Sequence, residues 1–320
     1  MTKLGYHISH EQFSPSQLLQ LAQKAEAAGF RFALSSDHFH PWSTQQNSSG
    51  FAWSWLGAAM AATSLEFGVV NCPAYRYHPA LIAQAAATLD EMFPGRFFLT
   101  VGSGQALNEA ITGLRWPAKQ ERNDRLKECV DVIRALWKGE TVNHHGLVTV
   151  EEATLYTRPK KEIEVIAAAI TPETAAWAAT WADGLITISQ PRDKLQKVVD
   201  AWNQNGGEGK PMLLKVQLSY DKTDKEALLG AHEQWKTNVF GSAMLADLRV
   251  PGQFEQAAQF VKPEEIREFV HVSGEPEQHL EWLQQYVEMG FQKMSLHNVN
   301  RKQEQFIEVF GQEVLPVLAS

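Results

Sequence analysis

Short apolar runs alternate with longer amphipathic runs along nearly the whole chain, and that alternation limits the folds open to it. Residues 67–72 are rich in valine and closed by Pro73, as a buried strand would be. Residues 79–92 instead repeat their apolar side chains at helical spacing. The pairing recurs. Strands are expected over 3–8, 32–35, 67–72, 96–101, 164–168, 184–188, 212–219 and 293–297. Helices are expected over 15–28, 53–63, 79–92, 124–137, 174–181, 192–202, 277–289 and 303–318. Strands separated by helices pair in parallel. Eight such units in 320 residues fit an α/β fold of the (β/α)8 barrel type, the TIM barrel. The competing doubly wound sheet lacks its signature, because no Gly-x-Gly-x-x-Gly follows the first strand. The expectation is one barrel domain over 1–320, with a hairpin excursion about 141–156 and a helical insertion about 224–261.

Composition excludes several function classes. Net charge is −8 and no basic block occurs, which argues against a nucleic-acid partner. The apolar runs reach about ten residues, too few to span a bilayer, so no membrane association is expected. The two cysteines, Cys72 and Cys129, match no disulfide or metal spacing. A reducing cytoplasm suits such a chain, and no metal site is expected.

The candidate chemistry sits at strand ends. Leu-Ser-Ser-Asp-His-Phe-His-Pro-Trp runs from Leu34 to Trp42 and crowds Asp37, His38, His40 and Trp42 behind the second strand. Val70, Asn71 and Cys72 close the third strand. Gly102, Ser103, Gly104, Gln105 and Asn108 follow the fourth, where glycines allow backbone to approach a planar ligand. Ala168, Ala169, Ile170 and Thr171 lead from the fifth strand into a helix start, whose free N–H groups suit phosphate. In a barrel these loops share one mouth.

Four motifs carry a family resemblance: Asp-His-Phe-x-Pro-Trp, Tyr-Arg-Tyr-x-Pro, Val-Gly-x-Gly-x-Ala-Leu-Asn-Glu and Ala-Asp-Gly. The chain resembles the bacterial luciferase-like superfamily from Leu4 to its last helix. It is similar in particular to the branch of deazaflavin-dependent glucose-6-phosphate dehydrogenases. The resemblance implies a homodimeric barrel with a flavin or deazaflavin in its mouth. It implies that Asp37 bonds the cofactor ring and that His38 lies beside the hydride-transfer centre. By the same resemblance Trp42 lines the reaction face, Glu11 is a carboxylate at the mouth and Asn108 binds cofactor. It also implies a strained bulge with a cis peptide near Val70–Asn71.

Two departures matter. Gln105 stands where those dehydrogenases have a glutamate, and an amide cannot exchange protons at neutral pH. By the resemblance, their phosphate-holding cations would fall near Gln190, Gln256 and Phe269, none of which is basic. The reading is therefore an oxidoreductase moving a hydride between a ring cofactor and a small organic substrate. FMN is favoured over the deazaflavin coenzyme F420, and a non-catalytic flavin-binding protein is the alternative of another class.

Overall fold

The computed structural model describes residues 2–318. In chain order the strands are β1 (Lys3–Ile8), β2 (Phe32–Ser35), β3 (Glu66–Asn71), β4 (Phe97–Val101), β5 (Val142–His145), β6 (Thr149–Ala153), β7 (Val165–Ala168), β8 (Gly184–Ile188), β9 (Met212–Tyr220), β10 (His271–Ser273) and β11 (Lys293–Asn298). Eight of them close a parallel barrel in the order β1, β2, β3, β4, β7, β8, β9, β11. The seam closes where β8 pairs with β9 and β11 pairs with β1. The fold is thus the α/β barrel expected from the alternation.

Alternate residues of each strand enter two separate buried clusters. Ala33, Val69, Leu99, Leu214 and Leu296 face outward into the layer shared with the helices. Phe32, Leu34, Phe98, Ile166, Ile186 and Leu213 fill the barrel interior. Phe32 and Phe98 belong to the N-terminal ends of their strands and close that end of the barrel. Their rings fit only because the facing positions are glycine. A Cβ on Gly5 would lie 2.4 Å from the Phe32 ring, and one on Gly68 would lie 2.1 Å from Phe98. Lys293 adds its ammonium over the Phe98 ring at 4.4 Å and pairs with Glu66.

The first helix, Pro15–Ala27, begins where expected, with Ser14 and Gln17 forming a capping box. Other boundaries differ. The helix expected over 124–137 starts at Lys119; its first turn is charged, so no apolar stripe marked it. β10 is a three-residue strand on the tip of β9, too short for any period to show. The helix Asp224–Trp235 is a barrel helix. Ala227, Ala231 and Trp235 pack with Val270 and Val272. The irregular segment begins only after Trp235, with short helices Ser242–Asp247 and Pro251–Ala257.

The cis peptide expected at Val70–Asn71 is not present: every peptide bond between the described residues is trans. β3 stays in register with β4 to its last residue, Asn71 opposite Val101, and the Gly102 amide donates to the Asn71 carbonyl at 2.9 Å. A continuous ladder leaves no extra residue for a bulge. Among the described residues no helix is long and apolar enough to cross a membrane.

Candidate active site

The C-terminal ends of β1, β2, β3, β4 and β7 bring the expected residues to one rim. Asp37 is buried at the centre of a hydrogen-bond network. Its Oδ2 accepts from Asn71 Nδ2 at 2.7 Å and its Oδ1 from the Tyr77 hydroxyl at 2.9 Å. Arg76 Nη2 lies 3.2 Å from Oδ1 and donates to the Asp37 backbone carbonyl at 2.8 Å. The same guanidinium reaches Glu109, whose Oε2 also accepts from the Arg76 backbone amide at 2.9 Å. Burial raises the Glu109 carboxyl to about 7, against the opposing pull of Arg76. One cation therefore serves two buried carboxyls. Arg76 and Tyr77 carry no site assignment in the sequence reading, and Glu109 closes the candidate cluster after the fourth strand without a role of its own. Their signal was present, since Arg76 and Tyr77 lie in the Tyr-Arg-Tyr motif and Glu109 ends the glycine motif.

Asn108 secures the loop after β2: its Oδ1 accepts from the amides of Phe39 at 2.9 Å and His40 at 3.4 Å. The His40 ring turns away, with Nδ1 at 2.7 Å from the Leu107 carbonyl. So His40, Asp37 and His38 do not converge, and no cluster of three such residues that could hold a metal occurs among the described residues.

Glu11 and His38 form a second, looser pair. Glu11 Oε2 accepts from Ser36 at 2.6 Å and Ser9 at 3.1 Å, while Oε1 lies 3.4 Å from His38 Nε2. Burial alone would raise the Glu11 carboxyl. The His38 ring, the Ser36 hydroxyl and the Lys215 ammonium outweigh it, and the carboxyl stays below its usual range. Burial lowers the His38 pKa more than Glu11 raises it. At neutral pH this is a neutral imidazole beside a carboxylate. His38 Nδ1 also faces the His40 carbonyl at 3.3 Å. One ring proton thus faces two acceptors, and the ring is poised to take a second. Trp42 packs on His38 with centroids 5.1 Å apart and is backed by Phe254 of the helix Pro251–Ala257.

The remaining predicted residues differ in exposure. Gly104 has φ +81°, and a Cβ there would meet Cys72 Sγ at 2.8 Å, so this turn requires glycine. Cys72 itself is buried, and its thiol is pushed well up by burial. A Cβ on Gly102 would meet only Ala168, at 3.6 Å. Val70 and Ala168 are partly buried beside the interior cluster. The side chains of Ser103 and Gln105 are half-exposed, with no hydrogen bond among the described residues. Thr171 caps the helix Pro172–Ala179, and Lys119 donates to Thr174 Oγ1 at 2.8 Å in its first turn. A shallow depression there is lined by Ile170, Thr171, Gln190, Lys194 and Lys197. Gln190 thus has two lysines beside it, whereas Gln256 is exposed and Phe269 is 40% exposed.

A ring cofactor fits these residues. The Asn71 Oδ1 is a buried acceptor without a donor, directly beside Asp37. Gly102 and Ala168 leave a small-residue wall next to it. The lysine-lined depression would suit the phosphate of such a cofactor.

A family model for luciferase-like monooxygenases matches residues 1–293. The F420-dependent glucose-6-phosphate dehydrogenase of Microbacterium testaceum is 35% identical over 327 aligned residues, covering 99% of this chain and 97% of the relative. The enzyme of that name from Mycobacterium tuberculosis is also 35% identical, over 99% of this chain and 98% of its own. The solved structure of an F420-dependent secondary alcohol dehydrogenase in complex with an F420-acetone adduct superposes with a TM-score of 0.91, at 29% identity and 99% coverage of both chains. The F420-dependent tetrahydromethanopterin reductase of Methanopyrus kandleri shares the fold, with a TM-score of 0.80, 22% identity and 99% coverage of both chains. The chain is an oxidoreductase and belongs to the luciferase-like monooxygenase family.

Proposed function

We propose that this oxidoreductase uses a deazaflavin and moves a hydride between it and a small organic substrate. The sequence reading favoured FMN. The relatives' names favour the deazaflavin, because the similar dehydrogenases along the full chain are F420-dependent. The observation that carries the reaction type is the Glu11–His38 pair, a neutral imidazole whose Nε2 lies 3.4 Å from a carboxylate oxygen.

Asp37, Asn71 and the backbone around Gly102 and Gly104 would hold the ring; Thr171, Lys194 and Lys197 would hold the phosphate. The bound deazaflavin supplies the hydride acceptor. His38 takes the substrate hydroxyl proton at Nε2, and Glu11 stabilises the imidazolium so formed. Trp42 walls the reacting side. Gln105 donates a hydrogen bond to the substrate oxygen but moves no proton.

Glucose-6-phosphate is a poor fit. Gln105 removes the acid of the similar dehydrogenases, and neither Gln256 nor Phe269 can pair with phosphate.

The test is to titrate the purified protein with the deazaflavin and with FMN, following absorbance and binding. Tighter deazaflavin binding is expected. Binding of FMN alone, or tighter FMN binding, would overturn the cofactor assignment.

A further inference from the structure

Lys215 lies in the middle of β9 and is the one charged residue of that strand. Its position alternates with Leu214 and Val216, which pack outward, so it shares the inward side with Leu213 and Gln217. Its ammonium is 5.4 Å from the centre of the Trp235 ring. It makes no hydrogen bond and no ion pair among the described residues. Glu11 attracts it but stays outside ion-pair distance, with Oε1 turned to His38. Arg76 is the contrast: that cation is matched by two carboxyls.

The surroundings of Lys215 are also incomplete. Ser295 is its partner in register on β11, fully buried, with a hydroxyl that has no partner. The His297 and His7 rings meet at a tilt with centroids 4.3 Å apart on the same inward side, and each has an unpartnered Nδ1. Both rings are kept neutral by burial and by Lys215. Burial lowers Lys215 itself to about 8, so most of it stays charged at pH 7. Lys215 is partly exposed, but a cation held largely out of water without a counter-charge is still costly, and an anion entering the mouth would relieve the cost.

We propose that Lys215, with Ser295 beside it, receives a carboxylate of the substrate, so that the substrate is a small hydroxy or oxo acid with the carboxylate next to the reacting carbon. The inference rests on the oxidoreductase reading above and adds the substrate class. Two donors on adjacent strands match the two oxygens of a carboxylate. The point lies inside the barrel, two strands round from Glu11, whereas a distal phosphate would meet the outer positions Gln256 and Phe269.

The experiment is calorimetric titration of the purified full chain, with and without saturating deazaflavin. The probes are lactate, the uncharged analogue propane-1,2-diol, and inorganic phosphate. Lactate should bind about tenfold or more tightly than the diol. Lys215→Met should abolish that preference and leave diol binding unchanged; Ser295→Ala should weaken lactate a few-fold. Lys215→Met should also melt no lower than the native chain, because a structural lysine would be missed and an uncompensated one would not. Equal binding of lactate and diol, a preference that survives Lys215→Met, or tighter binding of phosphate would each overturn the proposal. If Lys215→Met does not fold, Lys215→Gln and Ser295→Ala decide by the same titration. Failure of deazaflavin to bind would count against the cofactor assignment alone, since the lactate preference is read without it.

Discussion

The two sides of the barrel mouth are built differently. On the β2–β4 side Asp37, Asn71, Arg76, Tyr77 and Glu109 are joined by short hydrogen bonds and shared charge. On the side from β9 through β11 to β1, Ser295, His7 and His297 hold atoms without partners, and Lys215 has the Trp235 ring but no counter-charge in ion-pair reach. A wall whose charges are matched, with the Asn71 Oδ1 and the Arg76 Nε left open, is largely fixed before anything binds. A wall that leaves donors and acceptors open is completed by what binds. The first arrangement suits a resident ring, and the second suits choosing among substrates.

Breaking the wired side should have the largest effect. Arg76→Leu leaves Asp37 and Glu109 as buried carboxyls without a cation. A loss of about 3–5 kcal/mol in stability is expected by denaturant unfolding. A loss under about 1 kcal/mol, the range of an exposed pair, would show that the network does not fix this wall.

The Glu11–His38 pair lies between the two sides. His38→Ala should cut turnover about a hundredfold or more while changing deazaflavin affinity only a few-fold. Comparable losses in both would move His38 to the cofactor-holding wall.

Proton linkage sharpens the contrast. Lys215 has a folded pKa near 8, below its ordinary 10.5. Between those values the unfolded chain holds the extra proton, so stability rises with pH across that window. Below pH 8 the full cost of the charge is present. Melting curves from pH 8 to 10 should rise more steeply for the native chain than for Lys215→Met. Parallel curves would mean that Lys215 is solvated or paired.

The smallest change is expected at Gln105. Gln105→Glu should leave glucose-6-phosphate oxidation negligible, read as deazaflavin reduction by absorbance. Robust reduction by that variant would show that Gln105 was the sole block.

The barrel was legible because parallel strands buried on both faces leave continuous apolar runs, as in 67–72 and 184–188. The rim was legible too, since polar residues interrupt those runs at strand ends, as Asp37 and His38 do. Lys215 was harder to see. One charged residue within Met212–Tyr220 looks like tolerance in an apolar strand until the register shows which way it points. Arg76 was masked by its own motif, which marked kinship without stating what the guanidinium touches. The expected cis bond came from the resemblance and from no feature of 68–73 itself.

The aromatic plug at Phe32 and Phe98, with Lys293 over it, makes the barrel a vessel with one door. The rim is then the route by which both ring and substrate pass, and an acid reaches Lys215 and leaves it from that side alone.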